Sequence, residues 1–235
     1  MAHMIDHKDG VLISSNLDIL VHTLETTDGR DKLTKIIQYV GKLILLYLKS
    51  KSLHNHSQSQ NLKRVVETLS NARRCFRVGR FLGDIEDLLE GTKLEKIQGA
   101  FGLVSDISEN FCWIYNVWNE KENETVNKIE QFGDFCWFLE TAISLYYWWS
   151  EIQSLRIKLN QIQRNPHKTQ DHVRDISRYM RKQQILFLQF FKLLGDLVQS
   201  GIYAFDLDLP VVNAISGMAA ALFGYTRVWK KVNDK

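Results

Sequence analysis

The sequence contains little proline. Its 235 residues include 2, Pro166 and Pro210, and 45% of the residues are apolar. With so little proline and so much apolar content, disorder is not expected. Strand-like alternation of apolar and polar residues is also missing, whereas apolar residues recur at spacings of three and four. The sequence therefore predicts an all-α fold, built as an antiparallel helical bundle.

Cysteine and net charge are low as well. The three cysteines, Cys75, Cys112 and Cys136, lie far apart in apolar helical runs. This spacing argues against a disulfide framework or a zinc site and predicts buried, reduced thiols. The formal net charge of +3 is too small to suggest a general nucleic-acid binder. The first apolar cluster is short and interrupted by Asn16 and Asp18, so no secretory signal is expected.

Enzyme motifs are missing from the chain. There is no nucleophile elbow, phosphate-binding glycine loop, paired cysteine motif or zinc-type histidine helix. His54 and His56 are neighbours in a polar loop, and His167 and His172 flank a turn. His54 and His56 have no carboxylate or thiol close in sequence, and for both pairs solvated histidines are expected rather than metal ligands. We predict no enzymatic activity, no cofactor and no bound metal.

The helical segments divide the chain into four regions. Residues 1–16 are predicted to be a flexible N-terminus, and residues 17–92 a helical region. Residues 93–200 follow as long antiparallel helices, partly embedded in a membrane, and residues 201–235 as a span with a short basic tail. Individual helices are predicted over residues 16–26, 28–50, 61–83, 93–118, 125–163 and 169–200, with a flexible loop over residues 51–60.

Residues 61–83 carry the most informative pattern. Apolar residues fall on one side of the predicted helix, and six basic residues accompany a single acid, Glu67. A basic amphipathic helix of this kind suits the headgroup boundary of an anionic membrane. The predicted membrane-binding residues are Leu62, Lys63, Arg64, Val65, Val66, Leu69, Arg73, Arg74, Phe76, Arg77 and Arg80, with Ala72 also in the apolar stripe.

An ordinary bundle helix with a basic outer face would show the same pattern. Near an anionic surface each Lys or Arg contributes roughly 1 kcal/mol, and each fully buried large apolar side chain roughly 1.5 to 3 kcal/mol. The two contributions are similar in size, so removing either should weaken attachment without abolishing it. Beyond Gly79 the apolar residues fall on a different side of the helix, and the charged residues become acidic. This change predicts a kink near Gly79, or a change there from membrane contact to packing against protein.

Residues 209–226 contain no charged residue, which just reaches the length of a membrane-spanning helix. The basic residues after this segment place the C-terminus in the cytosol. Small residues recur at four-residue spacing and would allow helices to approach closely, which predicts self-association. The alternative is a small-residue helix buried inside a soluble bundle. The predicted oligomerisation residues are Ser216, Gly217, Ala220, Ala221 and Gly224.

Two other segments, residues 101–118 and 132–149, are apolar but carry acids: Asp106, Glu109, Asp134 and Glu140. Acids at membrane depth are costly and would have to face protein or water. They could line an aqueous path for small solutes, or they could pair with Arg or Lys within the bundle. The sequence therefore leaves both the number of membrane passes and a channel function open.

The order of motifs resembles the peroxin-11 family of peroxisomal membrane proteins over roughly residues 17 to 232. Residues 27–39 are similar to the N-terminal signature of that family, and residues 69–81 to its basic segment. Residues 108–118 resemble its acidic-aromatic stretch. Residues 192–200 and 210–229 resemble its last helices, although Asn213 and the alanines at 219–221 depart from a pattern richer in glycine and serine.

The resemblance implies an integral protein of the peroxisomal or glycosomal membrane with both termini toward the cytosol. Family members bend and elongate the membrane with the basic helix and help to bring in fission machinery, including a dynamin-related GTPase. We therefore expect a homo-oligomer on an anionic phospholipid membrane that promotes peroxisome fission and proliferation. A channel for small metabolites and a soluble helical adaptor remain as alternatives.

Overall fold

The structure, a computed structural model, describes residues 7–51, 57–119, 123–164 and 170–233. Its regular elements in these ranges are all α-helices, which confirms the predicted all-α class. The helices are α1 (His7–Glu25), α2 (Thr27–Ser50), α3 (Ser57–Arg77), α4 (Phe81–Glu90), α5 (Lys93–Trp118), α6 (Glu124–Arg164), α7 (Gln170–Ala204) and α8 (Pro210–Asn233).

The helix boundaries follow from local capping chemistry. Thr26 precedes α2, and its hydroxyl accepts a hydrogen bond from the backbone N–H of Gly29. Thr92 precedes α5 and forms a reciprocal capping box with Glu95. Pro210 occupies the first position of α8, where its missing N–H has no helical partner to lose. These signals are local, so the sequence places the corresponding helices closely.

Several boundaries differ from the predictions. Helix α3 begins at Ser57, inside the flexible loop predicted over residues 51–60. Helix α1 begins at His7, so residues 7–16 are helical in the structure although a flexible N-terminus is predicted there. The single helix predicted over residues 61–83 is two helices, because α3 ends at Arg77 and α4 begins at Phe81. Gly79 lies between them with a φ of 95°, a left-handed conformation that glycine adopts readily. The predicted break near Gly79 is confirmed.

Helices adjacent in sequence pack against each other, notably α2 with α3, α4 with α5, α5 with α6, α6 with α7 and α7 with α8. Helix α2 also packs against α8, which brings the two ends of the chain together. An apolar core between α6 and α7 is formed by Ile152, Leu155 and Leu186, and Trp148 and Phe190 pack against it. The remaining interfaces contain many polar side chains, which are described below.

The small residues of α8 pack inside the chain. Ser216, Gly217, Ala220, Ala221 and Gly224, the predicted oligomerisation residues, are all buried. A Cβ on Gly195 of α7 would lie 2.9 Å from the Cβ of Ala220, and one on Gly224 would lie 3.0 Å from the Lys32 side chain of α2. The close approach predicted for this face therefore occurs with α2 and α7. A second copy has no access to it in this structure, and self-association stays a prediction.

The glycines of α8 and α4 offer a matched test of this packing. A Cβ on Gly217 would overlap the Tyr39 ring and lie 2.7 Å from Nε2 of Gln199, whereas a Cβ on Gly83 would meet nothing within 4 Å. We expect Gly217→Ala to destabilise the protein by about 1 to 3 kcal/mol through overpacking. Gly83→Ala should be neutral or stabilising by up to about 1 kcal/mol, because alanine favours helix. Thermal unfolding in detergent measures both, and equal melting temperatures would contradict the packing of α8 on Tyr39.

Candidate functional site

Helix α5 has its apolar face outward and its polar face inward. From Ile97 to Ile114 every exposed residue of this fully described helix is apolar. Asp106 is buried on the opposite side, and Glu109 is half-buried there. A water-soluble bundle would show the reverse arrangement. The exposed apolar residues are Ile97, Ala100, Val104, Ile107, Phe111 and Ile114.

The apolar face of α5 matches the dimensions of a bilayer. From residue 97 to residue 114 an α-helix rises roughly 26 Å, close to the ~30 Å of a hydrocarbon core. The exposed Trp118 lies just past one end and Lys93 and Lys96 just before the other, and such residues favour membrane interfaces. The two acids of α5 face protein, as membrane insertion of this segment would require.

Hydropathy selects a different helix. Among the described helices, the segment Ile176–Ala204 of α7 is long and apolar enough to cross a membrane by length and composition, because it contains an 18-residue stretch with a mean hydropathy of 1.4. Helix α8, which the sequence analysis predicts as the span, does not meet that criterion. Its apolar run is rich in alanine and glycine and begins with Pro210, and these residues contribute little hydropathy. A membrane crossing by α8 stays a prediction.

A charged cavity of about 600 Å³ lies between α2, α3, α4, α5, α6 and α7. Eight basic and eleven acidic side chains of the described residues line it, so the lining carries an excess of acids. Such a surface holds water or ions rather than lipid chains. All four acids of the apolar segments predicted from the sequence line it: Asp106, Glu109, Asp134 and Glu140.

Arg73 is the most deeply buried of the basic residues among the predicted membrane-binding residues. The residue is 8% exposed. Its Nε donates to Asp31 Oδ1 at 3.0 Å, and its Nη1 donates to Gln38 Oε1 at 2.7 Å. Burial raises the pKa of Asp31, but Lys32 and Arg73 outweigh it and hold that pKa well below its ordinary range. In this structure the charge of Arg73 is neutralised by α2, and no phosphate could reach it without a rearrangement.

Three further arginines, Arg74, Arg77 and Arg80, pair with α5 and α6. Arg77 Nη2 lies 2.5 Å from Glu109 Oε1, and Arg80 Nη2 lies 3.1 Å from Asp106 Oδ1. Arg74 lies 3.9 Å from Glu109 and 3.7 Å from Glu130. Of the two outcomes left open from the sequence, Asp106 and Glu109 therefore show the ion-pair arrangement.

The predicted apolar stripe of α3 does not share one environment. Val66 is buried against Gly41 of α2, and Phe76 lies under the Arg30 guanidinium, 5.7 Å from ring centroid to Cζ. Leu62, Leu69 and Ala72 are half-buried. In contrast Val65 is 51% exposed, and the neighbouring Lys63 and Arg64 are exposed too. The N-terminal half of α3 thus presents its basic residues to the surroundings, whereas its C-terminal half holds them inside.

The predicted burial of the cysteines is confirmed for two of the three, and most of the histidines considered as metal ligands lie outside the described residues. Cys112 and Cys136 are buried and free, as predicted. Cys75 is free but exposed, so its predicted burial is wrong; it lies on the side of α3 opposite Val66, away from α2. His54, His56 and His167 lie outside the described residues, as does the side chain of His172.

A second polar cluster, which the sequence analysis missed, joins α2, α7 and α8. Lys35 Nζ donates to Asp196 Oδ1 at 2.8 Å, and both side chains are buried. The Gln199 amide donates to Tyr39 Oη and, at 2.9 Å, to Asn213 Oδ1. A signal was present in α7, where Lys192, Asp196, Gln199 and Tyr203 recur at helical spacing within an otherwise apolar run. Such a polar stripe indicates a protein-facing side.

Asp84 is a closely packed acidic residue of the cavity lining, and its pKa is raised. Gly102 of α5 lies against it, since a Cβ on that glycine would be 2.7 Å from Asp84 Oδ1. Burial, helped by the Asp106 carboxylate, raises the pKa of Asp84 to about 6, although Arg80 acts in the opposite direction. Because the folded pKa exceeds the ordinary 3.8, protonated Asp84 favours the folded state. This contribution is lost as the pH rises through about 6.

We expect Asp84→Asn to stabilise the protein selectively at higher pH, because the amide resembles the protonated acid. The melting temperature of Asp84→Asn minus that of the wild type should be positive at about pH 8 and near zero or negative at about pH 4. Glu86→Gln, at an exposed acid of the same helix, is the matched control. A melting difference independent of pH would contradict the raised pKa.

Apolar exteriors around a charged, paired interior are typical of helical membrane proteins. The sequence profile of the family described as peroxisomal biogenesis factor 11 (PEX11) matches residues 17–229. The chain therefore belongs to this family of peroxisomal membrane proteins, and the resemblance predicted from its motifs is confirmed. A relative from Dictyostelium discoideum, named peroxisomal membrane protein 11 homolog, is 23% identical, with 94% of this chain and 99% of the relative aligned. No solved structure shows significant similarity.

Proposed function

We propose that this protein bends and elongates the peroxisomal membrane through its basic helix and so promotes peroxisome fission and proliferation. The observation that carries the proposal is α3 itself, which combines apolar residues at helical spacing with a dense row of basic residues. Insertion of such a helix into one leaflet expands that leaflet relative to the other and favours curvature. Family membership supports the peroxisomal location, and the apolar outer face of α5 supports an integral attachment.

The first contact with lipid is assigned to the N-terminal half of α3. There the side chain of Lys63 is 72% exposed, next to the exposed Arg64 and Val65. Lys63 has a weak ion pair, 3.8 Å from Glu67, which a phosphate could replace at little cost. Long basic side chains beside an apolar residue can place their heads on phosphate while their stems cover the acyl boundary.

Topology and partners are part of the same proposal. The protein lies in the membrane of a peroxisome or a related glycosome, and both of its termini face the cytosol. A dynamin-related GTPase completes fission. The protein acts as a homo-oligomer, which concentrates inserted helices in one membrane patch. Because the small residues of α8 are buried in the chain, oligomers must use another surface or follow a rearrangement of α8.

Charge reversal at the exposed pair separates membrane contact from internal packing. We expect Lys63→Glu with Arg64→Glu to lower the affinity of the protein for anionic membranes at least about 30-fold, because each charge contributes roughly 1 kcal/mol. In cells lacking the native protein, the variant should leave fewer peroxisomes and fewer tubular ones than the wild type. Fluorescence microscopy counts both, and tubulation of anionic proteoliposomes is scored by electron microscopy.

The matched control reverses two exposed basic residues of α6, Arg156→Glu with Lys158→Glu, which gives the same net charge. It should behave as the wild type. If the α3 variant supports normal peroxisome number and shape, the membrane-wedge mechanism is wrong.

The charged cavity favours a second candidate function, a channel for small metabolites. Its acid-rich lining, with Asp134 and Glu140 inside, could carry hydrated solutes past the apolar exterior. We expect Glu140→Gln and Asp134→Asn each to change single-channel conductance in planar bilayers and to lower the preference for cations. Glu124→Gln, at an acid with an 84% exposed side chain outside the cavity, is the control. Unchanged conductance in both cavity variants would exclude the channel.

A further inference from the structure

We propose that the structure shows a closed state, in which carboxylates of α2, α5 and α6 clasp the basic helix α3, and that anionic lipid phosphates open it by displacing them. This inference rests on the proposed membrane contact of α3 and concerns its regulation. The clasp consists of Arg73, Arg74 and Arg77 of α3 with their acidic partners Asp31, Glu109 and Glu130.

The three arginines are held by three different helices. Arg73 is bound by α2, Arg77 by α5, and Arg74 by α5 and α6 together. Guanidinium groups bind phosphate and carboxylate with the same fork of donors, so a lipid phosphate is a direct competitor for each pair. Among the described residues, buried Arg77 Nε has no hydrogen-bond partner. That donor is left for an additional acceptor.

The apolar residues of α3 are also held in the closed state. Val66 is buried on α2, where an ideal Cβ on Gly41 would lie 4.0 Å from the Val66 Cβ. Release of α3 must therefore break ionic and apolar contacts together. When α3 inserts into a membrane, it contacts acyl chains and phosphates together, and these replace both the apolar and the ionic contacts. A soluble phosphate replaces the ionic contacts alone.

The joint between α3 and α4 permits such a release. Gly79 has a φ of 95°, and a Cβ placed on it would meet nothing within 4 Å. At Gly79 itself, therefore, no side-chain packing resists a change of angle. Helix α4 can remain on α5 while α3 moves about this joint.

A disulfide across α2 and α3 tests the clasp directly. The Cβ separation at Gly41 and Val66 suits a disulfide, which needs about 3.5 to 4.5 Å. We would introduce Gly41→Cys and Val66→Cys in a Cys75→Ser background, because Cys75 is exposed whereas Cys112 and Cys136 are buried. The full chain is reconstituted with phosphatidylcholine alone or with added phosphatidylserine. A mild chemical oxidant that takes up the two electrons of the thiols is added, and the rate of disulfide formation is measured.

The clasp predicts rapid disulfide formation in phosphatidylcholine and a rate at least about threefold lower with phosphatidylserine, restored by high salt. Inorganic phosphate should not reproduce the effect. Once oxidised, the locked protein should fail to tubulate anionic vesicles, and a reductant should restore tubulation. Single-cysteine variants treated with the same oxidant are the controls for oxidation itself.

Glu109→Gln provides a second route that introduces no cysteine. Loss of this carboxylate removes the ion-pair partner of Arg77 and one of the two partners of Arg74. Tubulation should therefore need at least about threefold less phosphatidylserine than the wild type needs. Glu124→Gln, an equal charge change at an exposed acid, should have no such effect.

The outcomes separate this inference from the proposed function. If locked and reduced proteins tubulate alike and disulfide formation ignores lipid charge, the clasp is refuted while membrane bending stands. If the unlocked protein never tubulates vesicles, the proposal of membrane bending is wrong. The clasp is then tested by one measurement, the dependence of the rate of disulfide formation on lipid charge.

Discussion

The need to pair every charge buried among the helices governs this structure. Asp31 joins α2 to α3 through Arg73, and Lys35 joins α2 to α7 through Asp196. Near the C-terminus Arg227 joins α8 to α2 through Asp28, at 3.3 Å. Buried pairs add little net stability, but removing one partner leaves an isolated charge and costs roughly 3 to 5 kcal/mol. These three pairs therefore specify which helices adjoin α2.

An interior occupied by charge leaves apolar side chains for the outside. On α5 this division is complete between Ile97 and Ile114. An average over such a helix includes its polar inner face, so hydropathy selects Ile176–Ala204 of α7 and passes over α5. The direction in which a residue points, rather than the composition of its segment, decides whether it can meet lipid.

The same reasoning separates what the sequence could predict from what it could not. Helices and the break at Gly79 follow from local periodicity, capping and glycine, so they could be read from the chain. The environment of each helix face depends on distant partners: Val66 and Val65 are adjacent apolar residues of α3, yet one is buried on α2 and the other is exposed. Arg73 and Arg64 have the same side chain, but Arg73 is buried and Arg64 is exposed, because Asp31 of α2 pairs with Arg73. No pattern within residues 61–83 contains that information.

The paired arginines also determine how a membrane could use α3. A hydrogen bond between charged groups is worth about 1.5 to 3 kcal/mol, whereas an anionic surface returns roughly 1 kcal/mol per basic residue. Lipid charge alone would therefore leave the arginines with their carboxylates. Insertion of Val66 and its apolar neighbours adds the missing free energy, but only if the whole helix leaves α2. Opening must then be cooperative, with electrostatic attraction and apolar insertion acting together, so a basic helix can reside in a membrane protein without bending every bilayer it meets.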